Sequence, residues 1–231
     1  MFRGGAVFET WHTVAGVCGM RQSYLRFRAL LARGLIWVLS PVCEFEWSIM
    51  FKKDLDSSLE PYRARLATKI FPAREEDILA IVGCTRFHTH DVLMDRFRAG
   101  NTCLVAKKDG VMAAFNWVVI NNTMDACYFV EPDEGDAYCM DARTFDPFRG
   151  QGLHTELLSR LLIHARKTGW RQAFTRASAA NSSSWKSHVR LGWDEVGSMF
   201  MFRPKAFGKE RRFGGPDRYP LRLDRRAKDN R

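Results

Sequence analysis

Two stretches of this chain hold residues whose types and spacing suit chemistry. The first is TFDPFRGQGLHTELLSRLL, Thr144 to Leu162. A strand-like run enters an Arg149-Gly150-Gln151-Gly152 turn, and an amphipathic helix pattern follows at once. Two glycines let backbone approach a ligand closely. The amides opening the following helix point outward, and the helix dipole favours an anion there. Arg149 adds a positive charge, so the turn suits a pyrophosphate. It is not a nucleotide-binding P-loop, because no Gly-Lys-Ser/Thr follows. Nor is it a dinucleotide fingerprint, since the third glycine is missing. The second stretch is NSSSWKSHVRLGW, Asn181 to Trp193, with a helix cap at Asn181 or Ser182 and a histidine, His188, one turn before Gly192.

The elements that must position these residues read as a mixed domain over 68–203. Strands are expected at 68–72, 102–107, 111–120, 136–144, 171–177 and 193–202, and helices at 74–84, 91–98, 153–167 and 183–191. Lys108-Asp109-Gly110 between two apolar runs signals a hairpin. Leu157, Leu158, Leu161, Leu162 and Ala165 keep one apolar helix face, and Gly169 stops that helix. Acidic Glu75, Glu76 and Asp77 open the helix at 74–84, where the dipole favours them. The expected fold class is α+β: a mixed, mostly antiparallel central sheet flanked by helices.

Taken together, these residues resemble the GNAT acyltransferase superfamily. Its signature is Arg/Gln-x-x-Gly-x-Gly/Ala at a strand-to-helix turn. An Asn after the next strand and a helix with Tyr and a closing Gly-Phe follow. Arg149, Gly152, Asn181, Gly192 and Trp193 stand in register with that pattern, and the resemblance covers 68–203. It implies acetyl-CoA or another acyl-CoA as co-substrate, held by Thr144, Arg149, Gly150, Gln151, Gly152, Leu153, His154 and Asn181. Pantetheine would lie between the strands at 136–144 and 171–177, and an amine would attack the thioester directly with a backbone amide stabilising the oxyanion. Two departures stand out. His154 replaces the usual Gly or Ala, either bonding the pyrophosphate or pointing outward. His188 replaces the usual Tyr, either protonating the leaving thiolate or serving as a surface residue. Asp141 is the candidate base; its alternative is to solvate the sheet edge or pair with Arg143. The acceptor, a small molecule, an amino sugar or a protein amine, is left open, as is a homodimer. The rival reading is a GNAT-like binding module without catalysis that engages a membrane or nucleic acid.

The remainder of the chain frames this domain. Of the net charge of +10, residues 203–231 supply +7, with eight Arg and three Lys against one Glu and three Asp. Residues 204–231 read as a mobile basic tail, with interspersed Asp217, Asp224 and Asp229 arguing against binding to nucleic acid or anionic lipid. Residues 1–67 read as an apolar and basic extension. A helix is expected at 23–39, with Leu25, Leu30, Leu31 and Leu35 roughly on one side. It either packs on the domain or touches a membrane surface through residues 23–42. A strand is expected at 45–51. The six cysteines form no CxxC pair, which suits free thiols and a cytoplasmic protein. No metal site is expected; His88-Thr89-His90-Asp91 reads as solvated polar surface.

Overall fold

The computed structural model describes residues 17–84, 88–119, 135–206 and 211–214. Its elements, in order, are α1 (Val17–Leu39), β1 (Cys43–Asp54), β2 (Lys69–Pro72), α2 (Glu75–Ile78), α3 (His90–Arg98), β3 (Thr102–Lys108), β4 (Val111–Val119), β5 (Asp136–Thr144), α4 (Leu153–Lys167), β6 (Gln172–Ser178), α5 (Ser182–Arg190), β7 (Asp194–Pro204) and β8 (Arg211–Gly214). The eight strands form one sheet in the order β2-β3-β4-β5-β6-β1-β7-β8. Among the described residues only the β5–β6 pair is parallel. This is the mixed, mostly antiparallel α+β sheet that the pattern implies. The helices α4 and α5, and the small residues of α1, pack with Ile49, Phe51, Trp185 and Trp193 on one face. On the other, α2 and α3 cover Phe115, Trp117, Tyr138 and Phe174.

The division at residue 67 does not separate two structural units. Strand β1 comes from the expected extension, yet it lies inside the sheet between β6 and β7. Ser48, Ile49, Met50 and Phe51 are all buried. A strand covered on both faces has no polar side to alternate with, which is why its periodicity is weak in the sequence. The expected tail also contributes: Arg211–Gly214 pairs with β7 as the sheet's last strand. The rest of the tail, 215–231, lies outside the described residues. The helix expected at 74–84 is cut to Glu75–Ile78. Beyond it the amides of both Ile81 and Val82 turn to the Ile78 carbonyl, and Gly83, at φ +76°, donates to His88 O instead.

Helix α1 does not bury its leucines. Arg28, Ala29 and Ala32 face the sheet, while Leu30, Leu31 and Leu35 are exposed; the Leu25 side chain lies outside the described residues. The small alanines allow the helix to sit close to the sheet. Arg28 fixes its rotation, pairing with Glu195 and donating to Ser198 Oγ at 2.6 Å, with its guanidinium over the Trp47 ring at 5.1 Å. Among the described residues no helix is long and apolar enough to cross a membrane.

Removing half-buried Glu195 strands the charge of its buried partner Arg28. Glu195→Ala is therefore expected to lower unfolding free energy by about 3 kcal/mol in urea titration. A chain starting at Leu55 would leave β6 and β7 without their shared neighbour and is expected to give no cooperative thermal transition in calorimetry.

Candidate functional site

The parallel pair β5–β6 is joined in register only from Asp136↔Gln172 to Cys139↔Thr175. Beyond those residues the two strands part. Strand β5 also gains a residue there: Phe115 faces Arg143 but Trp117 faces Met140, so β5 spends three steps against two on β4. Asp141 sits in this bulge at φ +47°, a left-handed conformation uncommon for a residue with a side chain. The parting opens a cleft of about 260 Å³, lined by Met140, Asp141 and Ala142 from β5 and by Thr175 to Ser178 from β6. His154 from α4, and Asn181, Ser184 and His188 from α5 and its cap, close one wall. Asp141, His154, Asn181 and His188, far apart in the chain, thus meet around one space.

The glycine turn leads into this wall. Gly150 and Gly152 have φ of +75° and +88°, and Gly152 caps α4 with no side-chain hydrogen bond. A segment from the expected extension lies over the turn. Arg65 N donates to Gln151 O at 2.9 Å, and Arg65 Nη2 to Gly150 O at 2.6 Å. In trans peptides the amide points opposite its carbonyl. Binding these two carbonyls therefore aims the Gln151 and Gly152 amides away from Arg65. They join the first amides of α4, which have no intrahelical acceptors. Tyr62 fills the space beside Gly152: a Cβ there would meet its hydroxyl at 3.0 Å. The closeness that this glycine permits is thus to Tyr62 of the same chain as well as to any ligand. The guanidinium of Arg149 folds back, donating to Thr144 O at 3.2 Å and lying 2.7 Å from Asp146. The Leu153 side chain is buried in the core, so only its backbone is available to a ligand. Asn181 Oδ1 accepts from Ser184 N, fulfilling the capping role expected of it while lining the cleft. Near the turn, Glu156 is neutralised by Arg160 at 2.8 Å and accepts from Ala64 N.

Electrostatics set the protonation states. Burial acts to raise the Asp141 pKa, but contact with His88 and the charge of Arg96 outweigh it, and the carboxyl stays below the ordinary range. Its partners are Arg96 at 2.6 Å and His88 Nε2 at 3.1 Å, both buried; Arg143 instead donates to Cys84 O. The expectation of an Asp141–Arg143 pair gives way to this cluster, because the bulge turns Asp141 toward α3. His88 is accordingly not solvated surface, and among the described residues no three potential ligands gather for a metal. His188 is buried, stacked on Phe51 at 4.9 Å, with Nδ1 2.8 Å from Ser184 O. A carbonyl only accepts, so Nδ1 carries the proton and Nε2 is bare. Burial lowers its pKa to about 3, with neighbouring His154 adding to the effect. The geometry gives a neutral imidazole with an acceptor nitrogen, which does not suit the expected donation of a proton. Burial likewise lowers His154 to about 4.

Four cleft residues escaped the sequence reading as site residues. Glu46 of β1 pairs with Arg176 of β6, which also donates to Ser48 Oγ at 3.0 Å. Tyr138 is buried, and burial pushes its phenol up to about 12. Asn116 of β4 is buried, and neither carboxamide atom has a hydrogen-bond partner among the described residues. Only an Asn inside an otherwise apolar run, VMAAFNWVV, signalled it in the sequence.

Residues 40–193 match the profile of the Acetyltransferase (GNAT) family, a span that includes β1. The chain belongs to that family. Solved structures agree in fold. A protein assigned to the GNAT family from Novosphingobium aromaticivorans is 16% identical, with a TM-score of 0.52 over 69% of this chain and 64% of its own. A GCN5-related N-acetyltransferase from Sphaerobacter thermophilus is 11% identical, with a TM-score of 0.52 over 78% of this chain and 56% of its own. An acetyltransferase from Colwellia psychrerythraea is 16% identical, with a TM-score of 0.51 over 71% and 58%. This chain thus spans less than two thirds of each of those chains. Among curated proteins no match was found.

His154 and His188 both have folded pKa values below the unfolded value, so the unfolded state binds more protons as pH falls. Their contribution is full above about pH 6.5 and is lost toward pH 4. Thermal stability is expected to be flat from pH 7 to 8 and to fall by up to about 1.4 kcal/mol per histidine per pH unit below 6.5. His188→Phe should flatten that slope in pH-dependent calorimetry. Gly152→Ala, strained by φ and by Tyr62, should cost about 1–2 kcal/mol.

Proposed function

We propose that this protein transfers an acyl group, acetyl or longer, from a CoA thioester to an amine by direct attack. The observation that carries the reading is the parting of β5 and β6 beside an uncapped helix N-terminus. Past Cys139 and Thr175 the described strands no longer pair with each other, and their facing edges suit the amides of a pantetheine arm. The Gln151 and Gly152 amides and the α4 terminus suit its pyrophosphate. Thr144 and Arg149 hold the turn's shape, and Asn181 holds the start of α5.

The cleft's own groups then divide the work. Asp141, held ionised by His88 and Arg96, and Glu46, paired with Arg176, draw a cationic amine to the thioester. A carboxylate so paired is a weak base, so we assign Asp141 to holding the acceptor as much as to accepting its proton. Tyr138 keeps its proton at neutral pH and is better suited than His188 to supply one to the leaving thiolate. His188 offers Nε2 as an acceptor. Asn116 offers a donor and an acceptor that a ligand amide or the thioester oxygen would complete. We place the reaction in the cytoplasm, where CoA thioesters are abundant. The acceptor class is open among small amines, amino sugars and protein amines.

Calorimetric titration with acetyl-CoA and longer acyl-CoA esters is expected to show 1:1 binding, abolished by Gly152→Trp; no binding of any CoA thioester would sink the reading. In a turnover panel of amines, Asn116→Leu should leave or raise thermal stability yet lower kcat/KM at least about tenfold, since an unsatisfied buried amide costs stability and a missing ligand contact costs rate. Unchanged turnover in both Asp141→Asn and Tyr138→Phe would remove those two assignments while leaving the enzyme. Binding without turnover of any amine would favour a binding module.

A further inference from the structure

Among the described residues, helix α1 buries one side and leaves the opposite side uncovered. At about 100° per residue, Phe27, Leu30, Leu31, Trp37 and Val38 fall in one arc opposite Ala29 and Ala32. Trp37 is 78% exposed, Leu30 66% and Phe27 63%, and Val42 just beyond the helix is 63% exposed. A contiguous stripe of large apolar side chains on a protein surface marks an interaction site. Its charge is one-sided. Val17–Leu39 contains four arginines and no Asp or Glu, and exposed Arg26 and Arg33 border the stripe along one edge.

We propose that this stripe seats the protein on a lipid bilayer carrying anionic headgroups, with α1 lying in the interface plane. The partner must offer apolar depth and negative charge together. An anionic bilayer offers both, with the acyl boundary for Phe27, Leu30 and Val38, and headgroups for Arg26 and Arg33. Trp37 has the amphipathic ring that settles at that boundary. A second copy of the chain fits less well. A symmetric contact would bring the arginines of both helices to one rim, with no acidic residue on either helix to meet them. The basic tail, +7 over 203–231, is likewise a poor cover for an arginine-bordered face and adds attraction to an anionic surface. The helix is no span: it is anchored to the sheet through buried Arg28. Arg33 Nε also donates to Ala180 O at 3.2 Å, one residue before Asn181 in the cleft wall. Seating α1 therefore holds the cleft beside the headgroups. The inference stands independently of the acyl-transfer reading.

The test is co-sedimentation of the full chain with vesicles of phosphatidylcholine alone and with 30 mol% phosphatidylglycerol (about a third, enough for a marked surface potential). Binding is expected to the anionic vesicles, weakening at high salt, and to fall at least about tenfold in Phe27→Ser/Trp37→Ser. Arg26→Glu should weaken binding at low salt only. Thermal melting and acyl-CoA binding should match the parent chain, because none of these side chains touches the core or the cleft. Sedimentation velocity runs alongside. No vesicle binding with a dimer that the double substitution dissociates would assign the stripe to a second copy and overturn the proposal. No vesicle binding in a monomer would overturn it as well. Binding unaffected by the double substitution would move the contact elsewhere, to the basic tail, and equally overturn it.

Discussion

Strand β6 can part from β5 only because another strand holds it from behind. Its residues 172–178 pair throughout with β1, whereas β5 accompanies it only through Thr175. A strand released on both sides would have to find partners for every amide and carbonyl. Here β1 meets that demand along one side of β6, and past Thr175 the other side faces the gap. The cleft, the turn at its mouth and the residues of its walls all depend on this unequal pairing. Strand β1 in turn is held by β7 along most of its length, which is why an N-terminal segment is inseparable from the site.

Three arginines fix the parts around that gap. Arg28 ties α1 to β7, Arg96 ties α3 to the bulge of β5, and Arg176 ties β6 to β1. Such pairs add little net stability once desolvation is counted, but each sets a register or rotation. Arg28 shows this most clearly: it turns the small side of α1 inward against the helix's own hydrophobic preference. Arg96 does the same for Asp141, holding a carboxylate in a strained backbone position and keeping it ionised. The histidines behave oppositely. Without a carboxylate beside them, burial keeps His154 and His188 neutral, so the cleft wall over α4 and α5 is uncharged while the wall over β1, β5 and β6 carries the charges.

The turn at Arg149–Gly152 is stiffened from outside. Arg65 takes its carbonyls, Tyr62 occupies the place of a Cβ, and Arg190 donates to the Tyr62 hydroxyl at 3.1 Å. For the proposed anion site, a turn already held in shape need not be ordered by its ligand. The segment before β2, featureless as sequence, supplies that preorganisation.

The local patterns were legible in the sequence. The α4 periodicity, the Asp109-Gly110 hairpin, the glycine turn and the Asn181 cap depend on neighbours a few residues away, so their positions agree closely with the structure. The family resemblance rests on the same local pieces, and the family match bears it out. What was not legible required contacts distant in the chain. Nothing in CEFEWSIMFKKD says that it lies between two strands some 120 and 150 residues later, since a strand buried on both faces has no period-two signature. Nor does any spacing announce that Arg96 meets Asp141, that Tyr62 backs Gly152, or that Glu46 enters the cleft. The glycine turn, by its residue types alone, offered the close backbone approach on which the proposed anion site rests; the tertiary structure decided which carbonyls are tied back, which side chains stay charged and where the strands open, because those outcomes depend on long-range pairing and burial.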